Sequence, residues 1–168
     1  MRTFKEDIKR IDGGVFRKML NISFWIIFNF RISCFFYKNG FFIISKFFWL
    51  VNRIVFTVDI DPGADLAGGL KLIHPMCIVV GREVTSLGNL TLYQSTTLGG
   101  SNDQEIMYKG KIVRQPYIYK DVIIYTSSVV IGPLIIGANS TIATNSTITK
   151  NVPENSIAFG VNSIKLKS

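Results

Sequence analysis

Isoleucine or valine recurs at every sixth position along the second half of this chain: Ile118, Ile124, Val130, Ile136, Ile142 and Ile148. Four residues after each stands a small or aliphatic side chain: Val122, Ser128, Leu134, Ser140, Ser146 and Val152. The same interval runs earlier through Ile60, Leu66, Leu72, Ile78, Val84 and Leu90. A helix needs apolar residues every three to four positions and a half-buried strand every two, so neither produces a strict six. A coil of short strands joined by tight turns does, with one aliphatic side chain per side pointing to the axis. Three hexapeptides complete a triangular turn, and stacked turns bury a continuous core while pairing their backbones in parallel ladders ~4.8 Å apart. The period therefore predicts a mainly β coil over 59–153.

The rhythm breaks once. Leu90 and Ile118 lie 28 apart, which is no multiple of six, and SNDQEIMYKGKIVR, residues 101–114, carries no phase. A protruding loop is expected there, a common place for a binding surface. After Pro153 the rhythm is lost, and the tail 154–168 is expected to pack along or cap the last turn.

The front of the chain has another character. Residues 1–58 hold ten Lys or Arg against three acids, whereas 59–168 hold nine against eight, so most of the net +8 sits in the first third. Twelve of the thirteen Phe and both Trp also precede Asp59. Bases interrupt every apolar run short of the ~18 residues of a spanning helix, and the cleavage pattern of a signal peptide is missing. Asn39-Gly40 is a good break between two helices. Two readings stay open: the helices cap the coil or pack on other subunits, or aromatic faces flanked by bases rest on an anionic membrane surface. The bases make no clustered stripe of a nucleic-acid module. Cys34 and Cys77 form no framework and read as reduced thiols, which points to a cytoplasmic protein, peripheral at the inner membrane face on the second reading.

His74 is the single histidine. It is the side chain whose ordinary pKa lies near neutrality, and it precedes Thr97-Leu98-Gly99-Gly100 by 23 to 26 residues. At ~18 residues per turn, the two fall on one edge or on neighbouring edges of the prism. A base beside a glycine stretch suits acyl transfer to a hydroxyl: imidazole takes the proton, and backbone N–H groups stabilise the oxyanion. No spacing argues for a Ser-His-Asp or Cys-His nucleophile, so direct attack is expected. His74 and Cys77 lack further ligands for a metal, Asp59, Asp61 and Asp65 read as turn residues, and no glycine-rich phosphate loop occurs.

Phe30-Arg-Ile-Ser, Val58-Asp-Ile-Asp-Pro-Gly-Ala, Leu72-Ile-His-Pro-Met-Cys-Ile-Val-Val-Gly, Gln94-Ser-Thr-Thr-Leu-Gly-Gly and Gly160-Val together resemble the serine acetyltransferase branch of the hexapeptide acyltransferases. The resemblance covers roughly residues 27–168. It implies a left-handed parallel β-helix with an N-terminal α-helical segment, a homotrimer, acetyl-CoA bound in clefts between adjacent coils, and O-acetyl transfer. It also implies His74 as the base, Gly99 and Gly100 near the thioester, Thr126 and Thr144 along the pantetheine channel, and Lys150 near the coenzyme's phosphates, though a solvated turn lysine is an equal reading of Lys150.

Departures from that family bear on the acceptor. Ile73 stands where serine acetyltransferases have an acid before the base, Gln115 stands where they have a second histidine, and their long helical domain is missing. Arg114 remains, able to hold a carboxylate. Short relatives with this pattern resemble enzymes that O-acetylate sugars of capsule, lipopolysaccharide or exopolysaccharide, and Tyr93, Tyr108 and Tyr117 would offer stacking faces beside the loop. The first expectation is therefore a surface-polysaccharide sugar acceptor, the second serine O-acetylation for cysteine synthesis, and the third a non-catalytic trimeric scaffold or binding module.

Overall fold

The computed structural model describes residues 2–102, 104–160 and 163–166; positions 161, 162, 167 and 168 of the tail lie outside the described residues. Four helices precede the coil: α1 (Arg2–Lys9), α2 (Val15–Met19), α3 (Ile22–Lys38) and α4 (Phe42–Val55). Asn21 caps α3 by accepting from the Ser23 N–H at 2.8 Å, the role a short polar side chain fills at a helix start. Gly40, at φ +80°, turns the chain between α3 and α4. The sequence reading anticipated these two long helices and missed α1 and α2.

From Asp59 the chain winds through short parallel strands. One side of the prism stacks β1 (Asp59–Ile60), β4 (Val79–Val80), β7 (Thr97–Gly99), β12 (Val129–Ile131) and β15 (Thr147–Ile148). The second stacks β2 (Asp65–Leu66), β5 (Thr85–Ser86), β10 (Tyr117–Ile118) and β13 (Ile135–Ile136), with Val152 bridged to Ile136. The third stacks β3 (Lys71–Ile73), β6 (Thr91–Tyr93), β11 (Ile123–Ile124), β14 (Thr141–Ile142) and β16 (Ser156–Phe159). This is a parallel β-helix of about five turns. All twelve aliphatic residues of the two six-residue series are buried, each worth ~1.5–3 kcal/mol of apolar burial.

Those residues do not form one column, which corrects the simple period. Ile60 pairs in register with Val80, and Leu72 with Leu92, both twenty residues on, whereas Val80 pairs with Leu98 after eighteen. Two extra residues therefore enter between Leu72 and Val80, at the corner that carries His74. Ile78, Val84 and Leu90 consequently lie just before their strands, in the row occupied lower down by Val122 and Ser128. A second insertion, of fourteen residues, separates Leu98 from Val130, thirty-two apart in register. It is an antiparallel hairpin rather than an unphased loop, with β8 (Ile106–Tyr108) and β9 (Lys111–Val113) joined through Lys109 and Gly110. The coil also runs past 153: β16 extends the third side, and β17 (Ser163–Leu166) folds back antiparallel on it.

The helical segment is pinned to the coil by a buried carboxylate. Asp7 on α1 is fully buried and accepts from Arg31 Nε at 2.8 Å, Arg31 Nη2 at 3.0 Å, and the Gly69 and Leu70 N–H groups at 2.9 and 2.8 Å. Arg31 also donates to the Leu66 and Ala67 carbonyls. Four donors satisfy a charge that would be costly to bury alone. Arg31 is thus a structural base, as is Arg10, which donates to the Gly69 carbonyl and, at 2.9 Å, to Thr91 Oγ1.

Candidate active site

His74 owes its position to the two-residue insertion. Elsewhere on its edge, one residue per turn adopts the left-handed conformation: Thr57, Cys77, Ser95, Ser127 and Asn145. Their N–H groups step down the edge, Cys77 to the Thr57 carbonyl, Ser95 to Met76, Ser127 to Gln94 and Asn145 to Thr126. The insertion adds a second left-handed residue at that corner, His74 itself, at φ +49°. Histidine is among the few non-glycine residues enriched in that region. The corner bulges, and the imidazole stands exposed with no hydrogen-bond partner among the described residues. Among the described residues no carboxylate bonds to it, and Ile73 is the preceding residue.

Three other candidates share this edge. Tyr93 pairs with Ile73 across adjacent coils, and its ring lies 4.7 Å from that of Tyr125. Thr126 donates to the Gln94 carbonyl at 3.2 Å, and Thr144 is exposed one turn further on. Sequence reasoning missed Asp59, whose strand pairs with Val79 beside the His74 corner; Trp49 Nε1 donates to it at 2.8 Å and Arg53 lies 3.3 Å away. Its place in Asp59-Ile-Asp-Pro reads more simply as turn chemistry.

Gly99, Gly100, Arg114, Gln115 and Lys150 occupy the neighbouring edge, across the first side of the prism. From Ser95 to Gly100 is five residues of extended chain, roughly 16 Å. Within one chain the structure therefore keeps His74 apart from the glycine pair, and Tyr93 apart from the hairpin face on which sequence reasoning had put it. Gly99 accepts the Gly132 N–H at 2.9 Å, and the space beside Gly100 is bounded by the Arg114 carbonyl and Gln115. Lys150 is exposed two coils away.

The hairpin edge is tightly tied. Gln115 lies on Gly81, where an added Cβ would come within 2.2 Å of Oε1, and that oxygen accepts the Glu83 N–H at 3.2 Å. Arg114 lies 3.6 Å from Glu83 and 2.9 Å from Glu105. Within the chain two acids, Glu83 and Glu105, already engage the guanidinium expected to hold an acceptor carboxylate. A cavity of about 410 Å³ opens between hairpin and coil, lined by Arg82, Glu83, Thr85, Lys111, Arg114 and Gln115. Arg82 donates to Asp61 at 3.2 Å, which raises its pKa. On the second side, Tyr108 meets Tyr119 hydroxyl to hydroxyl at 2.9 Å and Lys109 donates to Tyr119 at 2.7 Å; these bonds lower the Tyr119 pKa. Tyr117 packs tilted against Tyr108 and edge-on to Tyr119. Among the described residues no group of three or more His, Cys, Asp and Glu could hold a metal.

No family model matches the chain. Among curated proteins it is 31% identical to a serine acetyltransferase of Bacillus pumilus over 131 residues, 78% of this chain and 58% of that protein. To a serine acetyltransferase of Helicobacter pylori it is 30% identical over 132 residues, 78% of this chain and 73% of that protein. The chain thus spans about 58% of the length of the first of these relatives. Among solved structures, a serine acetyltransferase of Neisseria gonorrhoeae superposes with TM-score 0.85 at 27% identity, over 99% of this chain and 65% of that one. A Brucella abortus serine acetyltransferase in complex with coenzyme A superposes with TM-score 0.83 at 26% identity, over 98% and 66%. With the coil, its hairpin and the His74 corner in place, the chain belongs to the serine acetyltransferase family of hexapeptide-repeat acyltransferases.

Proposed function

We propose that this chain transfers the acetyl group of acetyl-CoA to the hydroxyl of a small, serine-type acceptor, with His74 as general base. Family membership supports the donor and the serine-type acceptor. The observation that carries the mechanism is the distribution of the site over two edges: an exposed, unpartnered imidazole on one, and the glycine pair with its hairpin on the next. One copy's His74 edge set against a second copy's hairpin edge completes the constellation, and a closed ring of three copies repeats that seam three times.

In this reading the acceptor hydroxyl gives its proton to His74 as its oxygen attacks the thioester carbonyl. Backbone N–H groups at the Gly99–Gly100 turn hold the developing oxyanion. The carbon–sulfur bond then breaks, and the imidazolium returns its proton to the departing sulfur, leaving an ester and coenzyme A. Thr126, Thr144 and Lys150 line the donor's course along the two edges. Asp59 supplies a carboxylate on the His74 side for an acceptor's ammonium group.

A sugar hydroxyl is the second reading, favoured by Ile73, by Gln115, and by the two acids that occupy Arg114, since a neutral acceptor needs no free guanidinium. The relatives named above lend it no support. Release of free thiol from acetyl-CoA, measured with L-serine and then with nucleotide-sugars and oligosaccharides, separates the two. Turnover with serine that falls by about 10² to 10⁴ in His74→Ala supports the first. Turnover with sugars alone supports the second, and coenzyme A binding without turnover on any acceptor supports a scaffold.

A further inference from the structure

We infer that α4 is a docking face for an anionic lipid bilayer surface. On α4 one stripe is apolar and open to solvent: Ile43 is 88% exposed, Phe47 61%, Leu50 37% and Ile54 74%. These positions follow the i, i+4, i+7, i+11 spacing of a single helix face. The opposite face of α4, through Ser45 and Asn52, is buried against α3: Ser33 Oγ donates to the Ser45 carbonyl at 2.7 Å, and Asn52 Nδ2 to the Ile26 carbonyl at 2.9 Å. The helix is therefore held by polar contacts on one side and turns large apolar side chains outward on the other. On α2, Val15, Phe16 and Met19 are likewise exposed, and so is Leu20 beyond it. Trp25 Nε1 donates to the Met19 carbonyl, so α2 joins the same end of α3 that receives Asn52.

The charges name the occupant. Between Gly13 and Val58 there is no acid at all, while Arg17, Lys18, Arg31, Lys38, Lys46 and Arg53 occur there. Arg31 is spent on Asp7, and Arg53 is half-exposed while pairing with Asp59 at 3.3 Å; Lys46 and Arg53 flank the stripe, both over the Trp49 ring at 5.9 and 5.1 Å. An apolar stripe bordered by bases and a tryptophan is the pattern of a helix lying in a bilayer interface. A second copy fits worse, because stacking this face on itself sets bases against bases, and Asp59, the acid that reaches Arg53, is already engaged by that pair and by Trp49. None of the described helices is long and apolar enough to cross a membrane, so the helix lies on the surface.

Co-sedimentation with vesicles tests the assignment, using phosphatidylcholine alone and phosphatidylcholine mixed with phosphatidylglycerol. Binding should be at least about tenfold stronger on the anionic vesicles and should fall in high salt, as each surface base contributes about fivefold. Lys46→Glu should weaken it by about fivefold or more, and the pair Ile43→Asn, Phe47→Asn should abolish it, with circular dichroism and melting temperature unchanged. Absent vesicle binding, equal binding to neutral and anionic vesicles, or a face variant that changes only the oligomeric mass would each overturn the proposal; the last would assign the face to a second copy.

Discussion

Two edges of the same prism, one side apart, solve opposite problems. The His74 edge is built by adding residues and leaving the side chain unattached: a two-residue insertion adds a second left-handed position, His74, and its imidazole finds no hydrogen-bond partner among the described residues. The hairpin edge is built by adding fourteen residues and fastening them, with Gln115 seated on Gly81 and Arg114 drawn between Glu83 and Glu105. A group that must exchange a proton with an incoming hydroxyl is served by the first arrangement, and a wall that must hold a shape by the second. The third edge offers a control. There Asp7 receives the Gly69 and Leu70 N–H groups, and Asn89 donates to Asp121 at 2.8 Å, contacts that serve the fold alone.

This contrast can be broken at several points. His74→Ala should lower turnover by about 10² to 10⁴ while leaving the melting temperature within a few degrees, because an exposed, unbonded ring supports no packing. Acetyl-CoA turnover within threefold of the unaltered chain would remove His74 from the chemistry. Asp7→Ala on the third edge should do the reverse. It should cost about 3–5 kcal/mol in denaturant unfolding by stranding Arg31, with turnover per folded molecule little changed. On the hairpin edge Gly81→Ala pushes the Gln115 amide off its seat. Acceptor KM should rise by several-fold, with stability altered by less than about 1–3 kcal/mol, the range for overpacking. A change in stability alone would make Gln115 a fastening and nothing more.

The smallest effect concerns the thiols. Burial pushes Cys34 up to about 12, so near pH 8 it is protonated in the folded chain, and the thiol form is the unreactive one. Cys77 is exposed on the His74 corner. A disulfide reagent should therefore titrate one thiol in the native protein and two after unfolding, and modification of Cys77 should block the site. The sign for stability follows: above its unfolded value near 9 the Cys34 thiol ionises only when the chain unfolds, so stability falls between about pH 9 and 12.

The coil was legible because burial along an axis writes a period into the sequence. The column of Ile118 to Ile148 needed no structure to be found. The insertion at His74 was not legible, since Ile78, Val84 and Leu90 keep six-residue spacing and are buried whichever row they occupy; only the register of Ile60 on Val80 separates the cases. The hairpin escaped because Ile106, Tyr108 and Val113 are too few to write an alternation. α1 was hidden because Asp7 looks like any surface acid until Arg31, Gly69 and Leu70 converge on it. Of the site, the residue types could be read, but not which edge each lies on. That assignment depends on counting turns through two insertions.

The proposed seam between copies is tested most directly by mixing. His74→Ala leaves the hairpin edge intact, and Gly100→Trp, which fills the donor groove, leaves the His74 edge intact, so each variant alone should be inactive. Co-expressed in equal amounts, they should regain about one quarter of the unaltered activity, since one seam in four then joins two intact edges in a closed ring. A mixture no more active than the two variants measured separately would contradict a site shared between protomers.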